Sequence, residues 1–308
     1  MIRAAFPGNL WLIVIAWLTL AGGCARLPDT GKTLLKPKSY SELRGYLLDH
    51  KADLDQFRLL GPFAVAVKED FEIRLPDSEV IKADLYLSAH AEKAPLVVIV
   101  HGLDSTKELH AFQAMHLASW GMHSLAVQLP NQGPWIANGK TLASIVLSIN
   151  RRPEAVDRRI DAGKIVLAGH SFGGAAVTVA LAEGAPAAGG ILLDPAIGER
   201  DFPRLLRLVS APVMLLGADT HVSTARNRDY FYRYIRGRYS EVSIRDAAHE
   251  DAQYPSNVGV ATEELQITFA SAMTSAAFSL SSAGNFDYAW ASYGDALARG
   301  KFFDAKKK

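Results

Sequence analysis

One serine in this sequence stands in a pattern that serves nucleophilic chemistry. Residues 169–174 read Gly-His-Ser-Phe-Gly-Gly, directly after the apolar run 164–168 and directly before the alanine-rich run 175–181. This order predicts a strand, a tight turn and a helix, in which the turn directs the hydroxyl of Ser171 outward. Glycines flank the serine because a side chain there would strike the neighbouring strand and helix. We therefore predict that Ser171 is a nucleophile.

A serine hydroxyl becomes a good nucleophile only when a base takes its proton. Nine histidines are present, and His249 is the best placed because it follows the last strand-like run, 241–245, through a short loop of small residues. His101 ends an earlier strand and does not fit the chain order serine, acid, histidine. His170 adjoins the serine, but such a turn points its side chain away from the hydroxyl, so we expect it to border the substrate instead. His249 is thus the predicted base.

An acid must hold the base in the tautomer that accepts the serine proton. Asp194 ends the apolar run 190–193, and Asp219 follows the apolar run 213–218. Both positions lie at strand ends, on the side of an open α/β sheet where active sites form. A carboxylate at the very end of a buried strand is costly unless it has a partner, which favours Asp194 as the acid. Asp219 remains the alternative.

Negative charge that develops on a substrate carbonyl needs preorganised N–H donors. The expected donors are the backbone amide of Phe172, directly after the nucleophile, and that of Leu103, in the loop after the strand that ends at His101. Gly102 lets this loop turn its backbone inward and border the substrate. Trp135 follows another strand end and is expected either to wall the pocket or to cover the core.

The elements that must carry these residues alternate along the chain. Short apolar runs without alternation, typical of strands that are buried on both faces, occur at 96–100, 124–128, 164–168, 190–193, 213–216 and 241–244. Helix-length segments separate them, which predicts an α/β fold with a mostly parallel, doubly wound sheet. Earlier runs at 63–68, 71–75 and 80–87 predict antiparallel opening strands, and residues 39–50 predict a short helix.

The N-terminal segment predicts export. Arg3 precedes an apolar run, 10–20, that is too short to span a bilayer comfortably and ends in small residues before Cys24. Such a sequence resembles the lipobox of bacterial lipoproteins, in which the thiol is lipidated and begins the mature chain. We expect residues 1–23 to be a signal peptide and Cys24 to anchor the protein in the cell envelope, with the outer membrane preferred. An uncleaved membrane anchor is the alternative.

Composition excludes several other functions. Thirty-three Lys and Arg against 32 Asp and Glu leave a net charge of +1, so nucleic acid is a poor partner. A single cysteine cannot close an intramolecular disulfide or assemble a zinc or iron–sulfur site. We expect no metal and no cofactor. The chain is predicted to comprise a tether and lead-in at 24–60 and one domain at 61–308, with the lysines at 306–308 as a solvated tail.

From about residue 61 to 280 the chain resembles the α/β-hydrolase superfamily. The motifs that carry the resemblance are His101-Gly102-Leu103, the serine motif at 169–174, the run that ends at Asp194, and the segment 244–249. They are similar to the group of platelet-activating-factor acetylhydrolases, chlorophyllases, dienelactone hydrolases and cutinase-like polyester hydrolases. The acetylhydrolase and chlorophyllase branches imply Asp194 as the acid, whereas the polyester branch implies Asp219. Dienelactone hydrolases use cysteine, from which Ser171 departs.

The resemblance implies hydrolysis of carboxylic esters through an acyl-enzyme, with a small-molecule or lipid-like ester as substrate. The short link between Pro195 and Pro212 leaves no room for the large cap domain that many α/β-hydrolases insert there. Two alternatives remain. One is a non-catalytic envelope lipoprotein that uses the fold for binding, and the other is an acyltransferase or perhydrolase with the same triad.

Overall fold

Within the residues that the structure describes, nine strands form one mixed sheet. The computed structural model describes residues 36–76, 78–198, 201–219, 225–256 and 259–308. The strands are β1 (Val65–Arg74), β2 (Val80–Ser88), β3 (Ala94–Val100), β4 (His123–Val127), β5 (Ile160–His170), β6 (Gly189–Leu193), β7 (Val213–Gly217), β8 (Tyr239–Ile244) and β9 (Phe302–Lys307). Their order across the sheet is β1-β2-β4-β3-β5-β6-β7-β8-β9.

The six central strands, β3 to β8, run parallel to one another. Strands β1 and β2 form an antiparallel pair, and β2 joins the parallel strands by antiparallel pairing with β4. Each of the six predicted apolar runs falls on one central strand. The predictions of an α/β fold, a mostly parallel sheet and antiparallel opening strands are therefore confirmed.

Helices cover both faces of the sheet. They are α1 (Tyr40–Asp49), α2 (Ala111–Ser119), α3 (Trp135–Arg151), α4 (Phe172–Ala182), α5 (Phe202–Leu206), α6 (Ala225–Tyr234), α7 (Glu263–Ser281), α8 (Asp287–Ser292) and α9 (Gly294–Ala298), with 3-10 helices at Leu54–Arg58, Lys107–His110, Pro153–Ala155 and His249–Ala252. Alternate residues of the central strands serve two separate cores: Val97 and Ile99 pack with α1, α2, α7, α8 and α9, whereas Leu96 and Val98 pack with α3, α4, α5 and α6. A strand buried on both faces needs apolar residues at every position, which explains the continuous apolar runs.

The segment before the sheet, expected as a tether and lead-in, contributes to the core from Tyr40 onward. Ser39 caps α1 by accepting a hydrogen bond from the N–H of Glu42, so the predicted helix at 39–50 is confirmed. Leu43 of this helix and Phe57 of the following 3-10 helix are buried in the same core cluster as α7. Pro37–Lys308 form one compact unit.

The prediction of separate strands at 63–68 and 71–75 was wrong. One strand, β1, spans most of both runs, with an irregularity between Lys68 and Phe71. Asp70 lies at this point with φ 50°, and its N–H donates to Oδ1 of Asp84 at 2.9 Å. A carboxylate on the neighbouring strand thus holds the bulge, and the strand continues beyond it instead of ending.

The prediction of a solvated tail at 306–308 was also wrong. Residues Phe302–Lys307 form β9, which pairs antiparallel with β8 and is the last strand at that side of the sheet. Phe302 is buried, and its ring lies 5.4 Å from that of Tyr293. The pairing depends on the exposed edge of β8, so a local sequence pattern could not reveal it.

Two further predictions concern the link between β6 and β7 and the N-terminal segment. Between β6 and β7 the described residues form the short helix α5, as the absence of a large cap requires. The predicted signal peptide, 1–23, and Cys24 lie outside the described residues. In the described part of the chain, no helix is both long and apolar enough to cross a membrane.

Candidate active site

Ser171 lies in a strained turn between β5 and α4. Its backbone has φ 54° and ψ −126°, a conformation that a residue with a side chain rarely adopts. Two hydrogen bonds to the neighbouring strand end hold the turn: the Ser171 N–H donates to the Leu193 carbonyl, and the Ala196 N–H donates to the Ser171 carbonyl, each at 3.0 Å. The predicted strand, turn and helix are therefore present, and the strain is held at the residue predicted to react.

Three glycines let the backbone pack closely around the turn. A Cβ on Gly169 would lie 2.3 Å from the Gly173 carbonyl oxygen, and a Cβ on Gly173 would lie 2.5 Å from the His101 carbonyl oxygen. A Cβ on Gly102 would lie 2.8 Å from the Cβ of Ser171. These separations are too short for any side chain, so glycine is required where β5, α4 and the loop after β3 meet. Gly102 therefore borders the nucleophile directly.

Asp194 and His249 form a close pair beside this turn. Nδ1 of His249 donates to Oδ2 of Asp194 at 2.5 Å, which leaves Nε2 as the ring nitrogen that can act on a serine hydroxyl. Asp194 follows β6, is fully buried and has φ 39°. Burial alone would raise the pKa of Asp194, but the hydrogen bond from His249 and the charge of Arg228 lower it to about 2. The carboxylate is therefore ionised at neutral pH.

Asp219, the alternative acid, has other partners. Its Oδ2 accepts a hydrogen bond from the Asp246 N–H at 2.8 Å and lies 3.8 Å from Nη1 of Arg245. Its N–H donates to the Ala247 carbonyl at 2.9 Å. Asp219 thus braces the loop that leads to His249, whereas Asp194 contacts the imidazole itself.

Arg228 on α6 is a residue of this site that the sequence analysis missed. Its Nη2 donates to Oδ1 of Asp194 at 2.6 Å, and its Nη1 donates to Oγ of Ser243 at 2.7 Å. The side chain is 5% exposed, and Gly217 on β7 leaves room for it, since a Cβ there would lie 2.4 Å from the guanidinium carbon. The absence of a side chain at Gly217, the last residue of β7, is the one signal in the sequence that agrees with this arrangement.

Buried imidazoles surround the pair. Nε2 of His170 donates to the backbone carbonyl of His249 at 3.0 Å, and the two rings lie 4.5 Å apart. Burial lowers the pKa of His170 well below its usual value and that of His110 to about 4. Both rings are therefore neutral at neutral pH. The hydrogen bond from His170 fixes the backbone at His249.

The two predicted oxyanion donors are the backbone amides of Leu103, which lines the same cavity as Ser171, and of Phe172, which follows Ser171 in the chain. Within the described residues, neither the Leu103 nor the Phe172 N–H donates to a loop or turn acceptor, so both amides are available to a ligand. Phe172 is the first residue of α4, where the helix dipole also favours negative charge. His101 shapes the loop by donating from Nδ1 to the Gly102 carbonyl at 2.8 Å.

A buried ion pair anchors the far end of the same loop. Nζ of Lys107 lies 2.7 Å from both Oδ1 of Asp84 and Oε1 of Glu108. Asp104 is held by a hydrogen bond from its N–H to Oε1 of Gln132 at 3.0 Å. The loop that carries Leu103 is therefore tied to β2 and to the loop after β4.

A cavity of about 240 Å³ opens over Ser171. Ser171, His249 and His170 line it together with Leu103, Asp104, Ser105, Leu109, Glu250 and Gln253. The prediction that Trp135 walls the pocket was wrong, and its alternative holds. Trp135 is buried in the core, and its ring stacks on that of Phe172 at 5.5 Å. The loop turns into α3 at Trp135, and this turn takes the indole inward.

In the described ranges, no group of three or more His, Cys, Asp or Glu side chains is arranged to hold a metal ion. Comparison with known families gives one result: a model described as "Alpha/beta hydrolase family" matches residues 97–299, which is well over half of the chain. The matched segment contains Ser171, Asp194, Arg228 and His249. No curated protein matches the chain.

Proposed function

The chain belongs to the alpha/beta hydrolase family, and from this premise we propose that it is a serine hydrolase that cleaves carboxylic esters. The observation that carries the proposal is the 2.5 Å contact between Asp194 and His249, made beside a strained serine that lines the same cavity as the imidazole. This arrangement supports a catalytic triad in which Asp194 is the acid, His249 the base and Ser171 the nucleophile.

In the proposed reaction, Oγ of Ser171 attacks the ester carbonyl carbon while Nε2 of His249 takes the hydroxyl proton. The amides of Leu103 and Phe172 hold the resulting oxyanion. The carbon–oxygen bond to the alcohol then breaks, and His249 returns the proton to the departing alcohol. A water molecule next loses a proton to His249 and attacks the acyl carbon. The bond between that carbon and Oγ of Ser171 breaks, the carboxylic acid departs, and His249 returns the proton to Oγ.

The dimensions of the site favour a small acyl group. A volume of about 240 Å³ is below the range of about 300–1,000 Å³ that encloses most drug-sized ligands. Because the described residues between β6 and β7 form the short helix α5 and no large cap, the rest of a substrate is expected to extend over the surface. A site open to water in this way also favours hydrolysis over acyl transfer to another alcohol or to peroxide. We therefore propose esters with short acyl chains as the substrates.

Covalent labelling tests the proposal most directly. A fluorophosphonate reacts with a serine whose base and oxyanion donors are assembled. The wild-type protein is expected to gain one phosphonyl group on the peptide that contains Ser171, and to hydrolyse p-nitrophenyl acetate faster than p-nitrophenyl palmitate. Peptide mass spectrometry locates the phosphonyl group, and hydrolysis rates across a series of acyl chain lengths measure the substrate preference.

Ser171→Ala is the matched control, since it removes one oxygen from a residue that is 8% exposed and is expected to fold with an unchanged thermal midpoint. It should take no label and show no ester hydrolysis. A folded wild-type protein that takes no label, or takes it elsewhere, would contradict the proposal and favour the non-catalytic binding protein. Faster product formation with an added alcohol or peroxide would favour the acyltransferase or perhydrolase.

We also propose that the protein is exported and anchored by a lipid on Cys24. The support is the sequence alone: an apolar run followed by small residues and a single cysteine. Cys24→Ser is expected to move the protein from the membrane fraction to the soluble envelope fraction of a bacterial host without change in esterase activity. Equal membrane recovery of the two forms would instead support an uncleaved anchor.

A further inference from the structure

The buried guanidinium of Arg228 provides a further inference, which rests on the proposed function because it concerns the proposed acid. Asp194 uses its two carboxylate oxygens for different partners: Oδ2 accepts from His249, and Oδ1 accepts from Arg228 at 2.6 Å and from the Ala218 N–H at 3.0 Å. The orientation of the carboxylate is thereby fixed from behind. A backbone N–H such as that of Ala218 would satisfy the second oxygen of a buried carboxylate without adding charge, so the cationic partner requires an explanation.

We propose that Arg228 is a positioning residue, which holds Asp194 ionised and directed at His249 and sets the pH at which the Asp194–His249 pair takes up a proton. A cation beside the carboxylate competes with the imidazolium for the same negative charge. The protonated imidazole is therefore less stabilised than it would be beside an unpaired carboxylate. Removal of Arg228 is therefore expected to let the Asp194–His249 pair take up a proton at higher pH.

The contacts of Arg228 are those of a built site. The guanidinium is 5% exposed, and besides Asp194 it donates to Oγ of Ser243 at 2.7 Å and to the Ala218 carbonyl at 2.5 Å. Three acceptors on three successive parts of the fold thus fix its plane. A guanidinium suits such a position because its donors have a rigid, forked geometry that a lysine ammonium lacks.

The other charged and titratable groups around the pair differ from Arg228. His170 packs on His249, and burial keeps the pKa of His170 low, so it is neutral. Asp251 accepts from the N–H groups of Ala248 and Thr262. The remaining groups near the pair are Asp104 and Glu250, which line the cavity, His110, which packs on His170, and Asp219, Arg245 and Asp246, which brace the loop before His249. Among the described residues, Arg228 is the cation in hydrogen-bond contact with Asp194.

Three variants separate charge from geometry. Arg228→Gln removes the charge but retains a donor, and is expected to shift the acid limb of the kcat/KM profile up by about one pH unit, the lower end of the shift that a nearby charge produces. Arg228→Lys keeps the charge and loses the forked donor geometry, so kcat should fall while the acid limb stays within about 0.3 pH units of the wild type.

Arg159→Met is the matched control, because Arg159 is a half-buried guanidinium paired with Asp157 and hydrogen-bonded to the carbonyls of Ser88 and His90. It should lower the thermal midpoint without moving the acid limb.

The imidazole signals of His249, followed by ¹⁵N NMR against pH, give the same midpoint without any substrate. This readout separates the two proposals: absence of ester hydrolysis would contradict the proposed function, whereas the NMR midpoint tests Arg228 alone. If Arg228→Gln does not fold, Ser243→Ala removes one acceptor of the guanidinium and should raise the midpoint by a smaller amount. A midpoint that is unchanged in Arg228→Gln, or in Ser243→Ala when it must serve as the substitute, would overturn the inference. Arg228 would then be a structural ion pair only.

Discussion

Asp194→Asn is expected to lower kcat for ester hydrolysis roughly 10⁴-fold, the loss that follows when a triad acid becomes an amide. An asparagine of the same shape can donate its N–H₂ to the imidazole, which then presents the wrong tautomer to Ser171. The variant also removes the negative charge that stabilises the imidazolium during proton transfer. Steady-state kinetics with p-nitrophenyl acetate measure the effect.

Asp219→Asn is the matched control for this substitution. Asp219 also ends a parallel strand, yet it contacts the Asp246 N–H and Arg245 instead of the imidazole. The expected activity lies within about threefold of the wild type, because the substitution weakens the contacts of Asp219 with the loop before His249 and leaves the contact between Asp194 and His249 intact. If Asp219→Asn caused the larger loss, Asp194 would be excluded as the acid and the polyester-hydrolase arrangement would be favoured.

Gly169→Ala is expected to disrupt the serine turn. The added methyl group would lie 2.3 Å from the carbonyl oxygen and 2.4 Å from the carbonyl carbon of Gly173, so the backbone of α4 must move away from β5. Overpacking of this kind costs about 3 kcal/mol, which corresponds to a fall of roughly 6–10 °C in Tm for a domain of this size. A displaced nucleophile should lose a further factor of about 100 in kcat/KM.

Gly45→Ala provides the comparison for that change. Gly45 lies within α1, and a Cβ there would have no atom within 4 Å. Alanine is the better helix former by about 1 kcal/mol, so Tm should rise slightly and activity should not change. Calorimetry measures the Tm of both variants, and an ester-hydrolysis assay measures their activity. Equal Tm values for the two glycine variants would show that close packing at the serine turn is not the constraint that the geometry implies.

Much of the site could be predicted from local sequence because its parts are local. The strand, turn and helix around Ser171 occupy one continuous segment, and Gly169 is required by its close approach to Gly173 within that segment. The continuous apolar runs likewise indicate, without further information, that the central strands are buried on both faces. Asp194 could be favoured, but not assigned, since two aspartates end neighbouring strands in the same way.

The elements that the sequence did not reveal depend on residues far apart in the chain. Strand β9 forms because β8 offers a free edge, and the bulge in β1 is held by Asp84 of the next strand. Trp135 could not be assigned to pocket or core, because the direction of its indole is decided where α3 begins. In each case the deciding partner lies outside the local pattern.

The sequence by itself determined the fold class, because burial on both faces of a strand shows within a few residues, and it indicated Ser171 and His249 as the candidate nucleophile and base. The tertiary structure decided which aspartate reaches His249 and brought Arg228 against that aspartate. These two facts depend on the register of β6, β7 and β8 and on the docking of α6, which bring a buried charge to its partner across the sheet. Burying two charges is tolerated only where the assembled fold brings them into contact with each other and with further hydrogen-bond partners, so no local pattern of residues can encode it.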